Sequence, residues 1–229
     1  MDTVTDLSEL APRVVFDRAE IDRLRLFQIN RYFESGILVE LPKMLAPDPS
    51  IELSTYFGLY NHDDEIQATA RIVRAAAGLP MLEHHPIFPD MLGRLQAAKN
   101  SVAEISRLAV GTDTPHYRAL ALLSREFLRF GLQNQHATVL VAAVEKPLVR
   151  ILNHLLGVPL HVIGPSIHYS GDYRGECVPI LIDTVECLNN FRLHKSRRWE
   201  FFMDGLVIDL TDAQLATSNT ANPLERFAF

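Results

Sequence analysis

A continuous apolar run between two helical patterns limits this chain to a small set of folds. Residues 138–144 read TVLVAAV, which is typical of a strand buried on both faces of a sheet. Apolar residues at helical spacing precede it over 117–132, and a second predicted helix over 146–156 follows it and ends before Gly157. Because both faces of such a strand must be covered, the pattern predicts a sheet with helices packed against it.

The remaining predicted elements surround this unit with further strands and helices. We predict an α/β fold with a mixed, largely antiparallel sheet flanked by helices on both faces. A single domain is expected over residues 1–229, with a core at about 14–212 and a loosely ordered tail at 213–229. The predicted strands are at 14–16, 55–60, 65–74, 102–110, 160–169 and 178–183, and the further helices at 21–33 (with Asp17 as N-cap), 90–97 and 184–198.

Composition excludes several classes of protein. The 229 residues are 48% hydrophobic and 22% charged, as in an ordinary globular domain, and the net charge of −6 argues against a dedicated nucleic-acid binder. No apolar run approaches the roughly 18–20 residues that span a bilayer. The acidic stretch at 1–8 is unlike a secretory signal, and two cysteines give no disulfide framework. We therefore expect a cytoplasmic protein.

The predicted strand at 102–110 carries a carboxylate among apolar residues. Burying such a group is costly unless it has a partner, so Glu104 is expected to pair, to face a cleft or to take part in chemistry. Strict alternation divides the strand into two faces, with Glu104, Ser106 and Leu108 on one and Ile105, Arg107 and Ala109 on the other.

Two short motifs carry a resemblance to a known family. TARIV at 69–73 and EISR at 104–107 resemble the acyl-homoserine-lactone autoinducer synthases, which have the GCN5-related N-acetyltransferase fold, and GVPLHVIGP at 157–165 is similar to the strand that ends such domains. The first helix lacks the family's tryptophan, and the following loop has Asp48 where those enzymes have two aspartates. The chain is more similar to their relatives, the long-chain N-acyl amino acid synthases.

The resemblance implies an activity and a set of site residues. Such enzymes transfer a long-chain fatty acyl group from acyl carrier protein to the α-amine of an amino acid such as tyrosine. Glu104 would then be the base, with Arg71 and Ser106 beside it. For Arg107, which alternation places on the opposite face, a structural ion pair beneath the sheet is expected instead. Substrate binding would involve Arg25, Phe27 and Tyr32 on the first helix and the backbone of Leu108, Ala109 and Val110, where an N–H would meet the oxyanion.

The segment after the motif strand bears on the acyl donor. Acetyltransferases of this fold bind the coenzyme A pyrophosphate with a glycine-rich turn, whereas residues 112–121 read TDTPHYRALA. This favours a donor thioester carried on phosphopantetheine, with no separate cofactor. Basic side chains are candidates for docking the acidic carrier, or are simply solvated helix faces: Arg118, Lys146, Arg150, Arg192, Lys195, Arg197 and Arg198.

Other interpretations stay open at this point. An autoinducer synthase with S-adenosylmethionine as acceptor is one alternative, and a catalytically silent relative that binds carrier protein or lipid is another. The pair His84–His85 has no further ligands at metal-binding spacing, so no metal is expected. An acyl groove is expected from five apolar residues that core packing would explain equally well: Leu122, Phe127, Val139, Val141 and Ile163.

Overall fold

The computed structural model describes residues 10–38, 40–42, 45, 47–75, 85–134, 137–168, 175–194 and 200–202. Within these residues there are eight strands: β1 (Ala11–Val15), β2 (Ser54–Tyr60), β3 (Ile66–Arg74), β4 (Val102–Val110), β5 (Val139–Glu145), β6 (His161–Val162), β7 (Ile167–His168) and β8 (Glu176–Asp183). They form one sheet in the order β1-β2-β3-β4-β5-β8-β6, with β7 also paired to β8. Apart from the parallel pair β4–β5, the pairings are antiparallel, which confirms the predicted fold class.

In the described part of the chain, five α-helices have defined bounds, and residues 200–202 are also helical. The five are α1 (Arg18–Glu34), α2 (Pro89–Ala97), α3 (His116–Gln133), α4 (Lys146–Arg150), which continues as a π-helix at Ile151–Leu156, and α5 (Thr184–His194). The Asp17 side chain accepts a hydrogen bond from the Glu20 N–H at 2.9 Å, which confirms the predicted N-cap. No described helix is long and apolar enough to cross a membrane.

The period of two along each strand divides the core between the two faces of the sheet. On β2, Phe57 packs with α3, whereas the neighbouring Tyr56 packs with α1. On β5, Leu140 lies in the α3 cluster and Val141 packs with α2. Helices α1 and α2 therefore cover one face, and α3 and α5 cover the other.

The predicted strand at 160–169 is broken into two short strands. Gly164 and Pro165 lie between β6 and β7, where proline has no N–H to donate to a ladder. A Cβ on Gly164 would lie 2.1 Å from the Pro86 carbonyl oxygen, so the segment before α2 is pressed against the backbone here. Gly164–Pro165 is a local signal for this break, and the single predicted strand did not take it into account. The predicted tail at 213–229 lies outside the described residues.

Candidate active site

A β-bulge interrupts β4 at the EISR motif. Thr69 pairs with Ala109 and Arg71 with Ser106, so two residues of β4, Arg107 and Leu108, lie opposite one residue of β3. Arg107 has a φ of +56°, in the left-handed region that non-glycine residues rarely occupy. Such conformations cost of order 1–3 kcal/mol and cluster at functional sites.

The bulge corrects the predicted faces of the strand. Arg107 was expected opposite Glu104, but its guanidinium contacts the Tyr56 hydroxyl on the α1 face, the face that also carries Arg71. Leu108 was expected beside Glu104, but it packs against the α3 cluster on the other face. The extra residue shifts the alternation by one position beyond Ser106.

A buried aspartate gathers the polar groups on the α1 face. Asp48 Oδ2 accepts hydrogen bonds from the Tyr56 hydroxyl and from Arg71 Nη1, each at 2.8 Å, and pairs with Arg107 Nη1 at 3.1 Å. Its Oδ1 accepts the backbone N–H of Ser50 at 3.1 Å. The Asp48 side chain is 1% exposed, so the carboxylate exchanges almost all of its hydration for these partners.

The network shifts the pKa values of Asp48, Tyr56 and Arg107. Burial alone would raise the pKa of Asp48, but the Tyr56 hydrogen bond and the two guanidinium groups outweigh it and hold the pKa below its usual value. Burial and the bond to Asp48 raise the pKa of Tyr56, so the phenol stays protonated and donates. Burial and the nearby Arg71 charge lower the pKa of Arg107.

The predicted catalytic residues share one face of β3 and β4. Arg71 Nε donates to Ser106 Oγ at 3.1 Å, so the two motifs are joined directly. Glu104 is 2% exposed and lies two residues before Ser106, on the same face. It also marks the last pair between β4 and β5, Glu104 with Val141, beyond which the strands separate. The candidate base thus lies where the sheet opens.

Helix α1 contributes further predicted residues to this face. Arg25 is buried, pairs with Asp22 at 2.9 Å, and lies near enough to Arg107 for its charge to lower the Arg107 pKa. Phe27 and Tyr32 are half-buried on the same helix.

The end of β4 is also tied to α1. Arg31 Nε donates to the Val110 carbonyl at 2.9 Å. Ala109 is buried and pairs with Thr69 of β3. These contacts fix the strand segment to which the family resemblance assigned the oxyanion N–H, and that assignment stays a prediction.

An apolar cavity lies on the opposite face, under α3 and α5. The space between its walls, including the part open to solvent, is about 640 Å³. Burial raises the pKa of the Cys187 thiol in its wall well above the ordinary value. The cavity is lined by residues of both strands and helices, including Ile105, Leu108, Ala142, Leu152, Ile180 and Phe191.

The cavity differs from the predicted acyl groove. Phe127 lines it, whereas Leu122 belongs to the core cluster between α3 and the sheet. The other three predicted residues pack on the α2 face, because odd-numbered positions of β5 point there and Ile163 follows β6 into the same cluster. The members of that group are Val139, Val141 and Ile163.

The predicted docking residues fall into three groups. Arg118 is 4% exposed, so its proposed part in a docking surface is wrong: it lies on the buried side of α3. Lys146, Arg150 and Arg192 are exposed, and Lys146 Nζ pairs with Glu176 at 2.6 Å. The remaining residues, Lys195, Arg197 and Arg198, lie outside the described part of the chain.

Asp48 and Tyr56 are the site residues that sequence reasoning missed as functional groups. Asp48 was noted as the acid of a proline-rich loop, but a loop position does not reveal which strand it will contact. An available signal was its isolation, since a lone acid between Pro47 and Pro49 is held in a restricted backbone. In the described residues, no group of three His, Cys, Asp or Glu side chains is arranged to hold a metal ion.

Comparison with known proteins gives a family match and several structural neighbours. Residues 27–175 match the family described as N-acyl amino acid synthase FeeM. No curated protein sequence matches significantly. The structure of FeeM, an N-acyl amino acid synthase from uncultured soil microbes, superposes with a TM-score of 0.59 at 21% identity, covering 81% of this chain and 97% of FeeM.

Two autoinducer synthases superpose on this chain with TM-scores close to that of FeeM. The AHL synthase LasI gives a TM-score of 0.60 at 13% identity, covering 88% of this chain and 98% of LasI. The CoA-dependent acyl-homoserine lactone synthase BjaI, solved with SAM and isopentyl-CoA, gives 0.57 at 13% identity, covering 93% and 99%. At these identities the structural likeness establishes the fold, which is that of the GCN5-related N-acetyltransferases.

Proposed function

The chain belongs to the FeeM family of N-acyl amino acid synthases, and from this premise we propose that it transfers a long-chain fatty acyl group from an acyl carrier protein thioester to the α-amine of an amino acid. The family match makes the chain an acyltransferase. The carrier-bound donor and the amino-acid acceptor, for example tyrosine, are the parts that we propose here.

One observation carries this proposal. Where β4 separates from β5 beyond Glu104, the strand has a buried polar cluster on its α1 face and an apolar cavity on its α3 face. An acyl thioester needs both surroundings, because its chain is apolar and its carbonyl reacts with a polar nucleophile. The opening between the strands is where a thioester would meet both.

Glu104 is suited to the proton transfer that amide formation needs. The acceptor amine gives up a proton to Glu104, directly or through water, and its nitrogen attacks the thioester carbonyl carbon. A C–N bond forms, the C–S bond breaks, and the leaving sulfur takes the proton to become the carrier's free thiol. A backbone N–H in Leu108–Val110 would stabilise the oxyanion of the tetrahedral intermediate.

The polar cluster favours an acceptor that bears a carboxylate. Asp48 contacts two guanidinium groups, and Arg107 is the more accessible of them, with 29% of its side chain exposed against 6% for Arg71. Planar guanidinium groups bind carboxylates through paired hydrogen bonds. We assign the α-carboxylate of the acceptor to Arg107, with Arg25 close to it, which gives Arg107 a binding role in addition to its ion pair.

Three features support a carrier protein as donor. Residues 112–121, which lead from β4 into α3, read TDTPHYRALA and have no glycine-rich turn for a coenzyme A pyrophosphate. Lys146 and Arg150 are exposed directly after β5, one of the two strands that open, and Arg192 is exposed on α5. A strongly acidic carrier would be attracted to such a surface.

The test is acyl transfer with purified acyl carrier protein and, in parallel, with acyl-coenzyme A, over a panel of amino acids. Glu104→Gln should lower kcat by about 100- to 10,000-fold, as expected when a general base is lost, while the unfolding transition remains cooperative. Glu52→Gln, an exposed acid in the 3₁₀ turn before β2, is the matched control and should leave kcat unchanged.

The products separate the alternatives. N-acyl amino acids formed from the carrier thioester support the proposal. Acyl lactones formed from S-adenosylmethionine would make the chain an autoinducer synthase instead. Carrier binding without any new lipid would make it a silent relative, and a higher kcat/KM with acyl-coenzyme A would overturn the assignment of the donor.

A further inference from the structure

Two stacked phenylalanines form one side of the apolar cavity. The rings of Phe191, on α5, and Phe202 lie 4.5 Å apart between centroids at an interplanar angle of 10°. Both side chains line the cavity, and they are 3% and 1% exposed. Phe202 also contacts the Phe201 ring edge-on at 5.2 Å, so the stacked pair is braced by a third aromatic ring and forms a packed boundary.

The aromatic pair lies on the side of the cavity away from the opening between β4 and β5. The cavity begins under β4 at Ile105 and Leu108, crosses β5, and reaches β8 at Ile180. Phe191 and Phe202 belong to a cluster that also contains Val178 and Ile180 of β8, and Phe191 lies on α5, which follows β8 directly. If the chain enters at the opening and extends across β5 toward β8, these rings border the end of its path.

We propose that the Phe191–Phe202 pair sets the maximum length of the acyl chain that the enzyme accepts. The inference rests on the proposed function, in which the cavity holds the acyl group of the donor. Up to the rings, each methylene group that enters apolar surroundings improves binding by about fourfold. A chain that is longer than this has to displace a packed ring, so each further methylene group weakens binding.

Cys187, close to Phe191, offers a substitution that should shorten the cavity. Cys187 lies four residues before Phe191 on α5, so the two side chains share one face of the helix. Cys187 also lines the cavity and is 1% exposed. Shortening the aromatic side chains should lengthen the cavity, whereas enlarging Cys187 should shorten it.

The experiment compares four variants with the wild-type chain over saturated acyl chains that lengthen in steps of two carbons. Phe191→Leu and Phe202→Leu should move the optimum of kcat/KM to longer chains, with a gain of about fourfold for each added methylene that becomes buried. Cys187→Leu should move the optimum to shorter chains. Leucine keeps these positions apolar, and the opposite shift expected for Cys187→Leu does not depend on either ring being removed.

Phe201→Leu is the matched control. Phe201 contacts Phe202 edge-on at 5.2 Å but stacks under the Arg125 guanidinium at 5.0 Å, and it is not among the described residues that line the cavity. Its replacement should leave the optimal chain length where it is. A shift equal to that of Phe202→Leu would mean that general loosening of the cluster, not the cavity wall, sets the length.

A second measurement separates this inference from the proposed function. Displacement of a fluorescent fatty acid by free fatty acids of the same lengths reports on the cavity without turnover. If no variant or wild-type chain acylates an amino acid, yet the displacement profile shifts as expected, the function is wrong and the aromatic boundary stands. If acyl transfer occurs and both profiles are unchanged in all three wall variants, the aromatic boundary is refuted.

Discussion

Replacing Asp48 with asparagine tests whether the buried charge network holds the site together. The substitution keeps the size of the side chain and removes the charge that Arg71 and Arg107 share, at 2.8 and 3.1 Å. Asparagine can still accept one of the hydrogen bonds, but it cannot compensate two guanidinium groups. Arg71 would then be buried, with 6% of its side chain exposed, without its ionic partner.

The expected loss of stability follows from these distances. For unit charges 2.8 Å apart, an effective dielectric constant of about 20 gives an attraction of roughly 6 kcal/mol, which the desolvation of both groups opposes. Breaking such a buried pair on one side typically costs about 3–5 kcal/mol. We expect Asp48→Asn to lower the free energy of unfolding by about that amount, which is a large part of the stability of a domain.

Urea unfolding at neutral and acidic pH measures the effect. Because the folded-state pKa of Asp48 is lowered, its stabilisation is present above the unfolded pKa of 3.8 and is lost as the pH falls through the folded pKa. The difference between wild type and Asp48→Asn should therefore be full at neutral pH and shrink below about pH 4. Asp63→Asn, an exposed residue of the β2–β3 turn, is the control, with an expected change within about 0.5 kcal/mol.

A double-mutant cycle isolates the pair. Arg107→Gln alone should cost less than Asp48→Asn, because Arg107 is partly exposed and can be rehydrated. The double variant should be more stable than the sum of the two single losses implies. If Asp48→Asn costs no more than Asp63→Asn, or if its cost is the same at every pH, the charge network does not stabilise the site and the reasoning fails.

Two further predictions concern the frame around the site. Gly164→Ala should destabilise the fold by about 1–3 kcal/mol, since its Cβ would lie 2.1 Å from a backbone carbonyl oxygen. The control Gly93→Ala, in an open position of α2, should stabilise the fold by about 0.5–1 kcal/mol. Equal effects of the two variants in urea unfolding would contradict the close contact at Gly164. The bond between His161 and Glu186, at 2.7 Å, raises the pKa of His161, so its stabilisation is full below about pH 6.5 and is lost as the pH rises through the folded pKa. Unfolding of Glu186→Gln should accordingly differ most from wild type in mildly acidic solution, and a difference that grows with pH would refute this.

Much of the fold was predictable because it depends on local pattern. The limits of β4, Val102–Val110, agree with the predicted strand, and α3 and the Asp17 cap of α1 lie where apolar spacing and capping chemistry indicate. The residue types of the site were also visible, since alternation places Glu104 and Ser106 on one face. These features need no information beyond a few neighbouring residues.

Other features were decided by contacts between distant segments. Whether a strand contains a bulge depends on the register with its partner, and the pairing of β3 with β4 moved Arg107 to the α1 face and Leu108 to the α3 face. The cavity could not be assigned from a list of apolar residues, because an inward-facing side chain fills space or borders it according to its neighbours on other elements.

The sequence by itself determined most of the helices and strands, their order along the chain, and the acid and arginines available for chemistry. The tertiary structure decided how those charges are shared: Asp48, from a proline-rich loop, lies between Arg71 and Arg107 on separate strands. It also decided that an apolar cavity lies behind the strand that carries Glu104. The physical reason is that ion pairs and cavities depend on distances of a few ångströms between segments in three dimensions, whereas residue patterns report spacing along one chain.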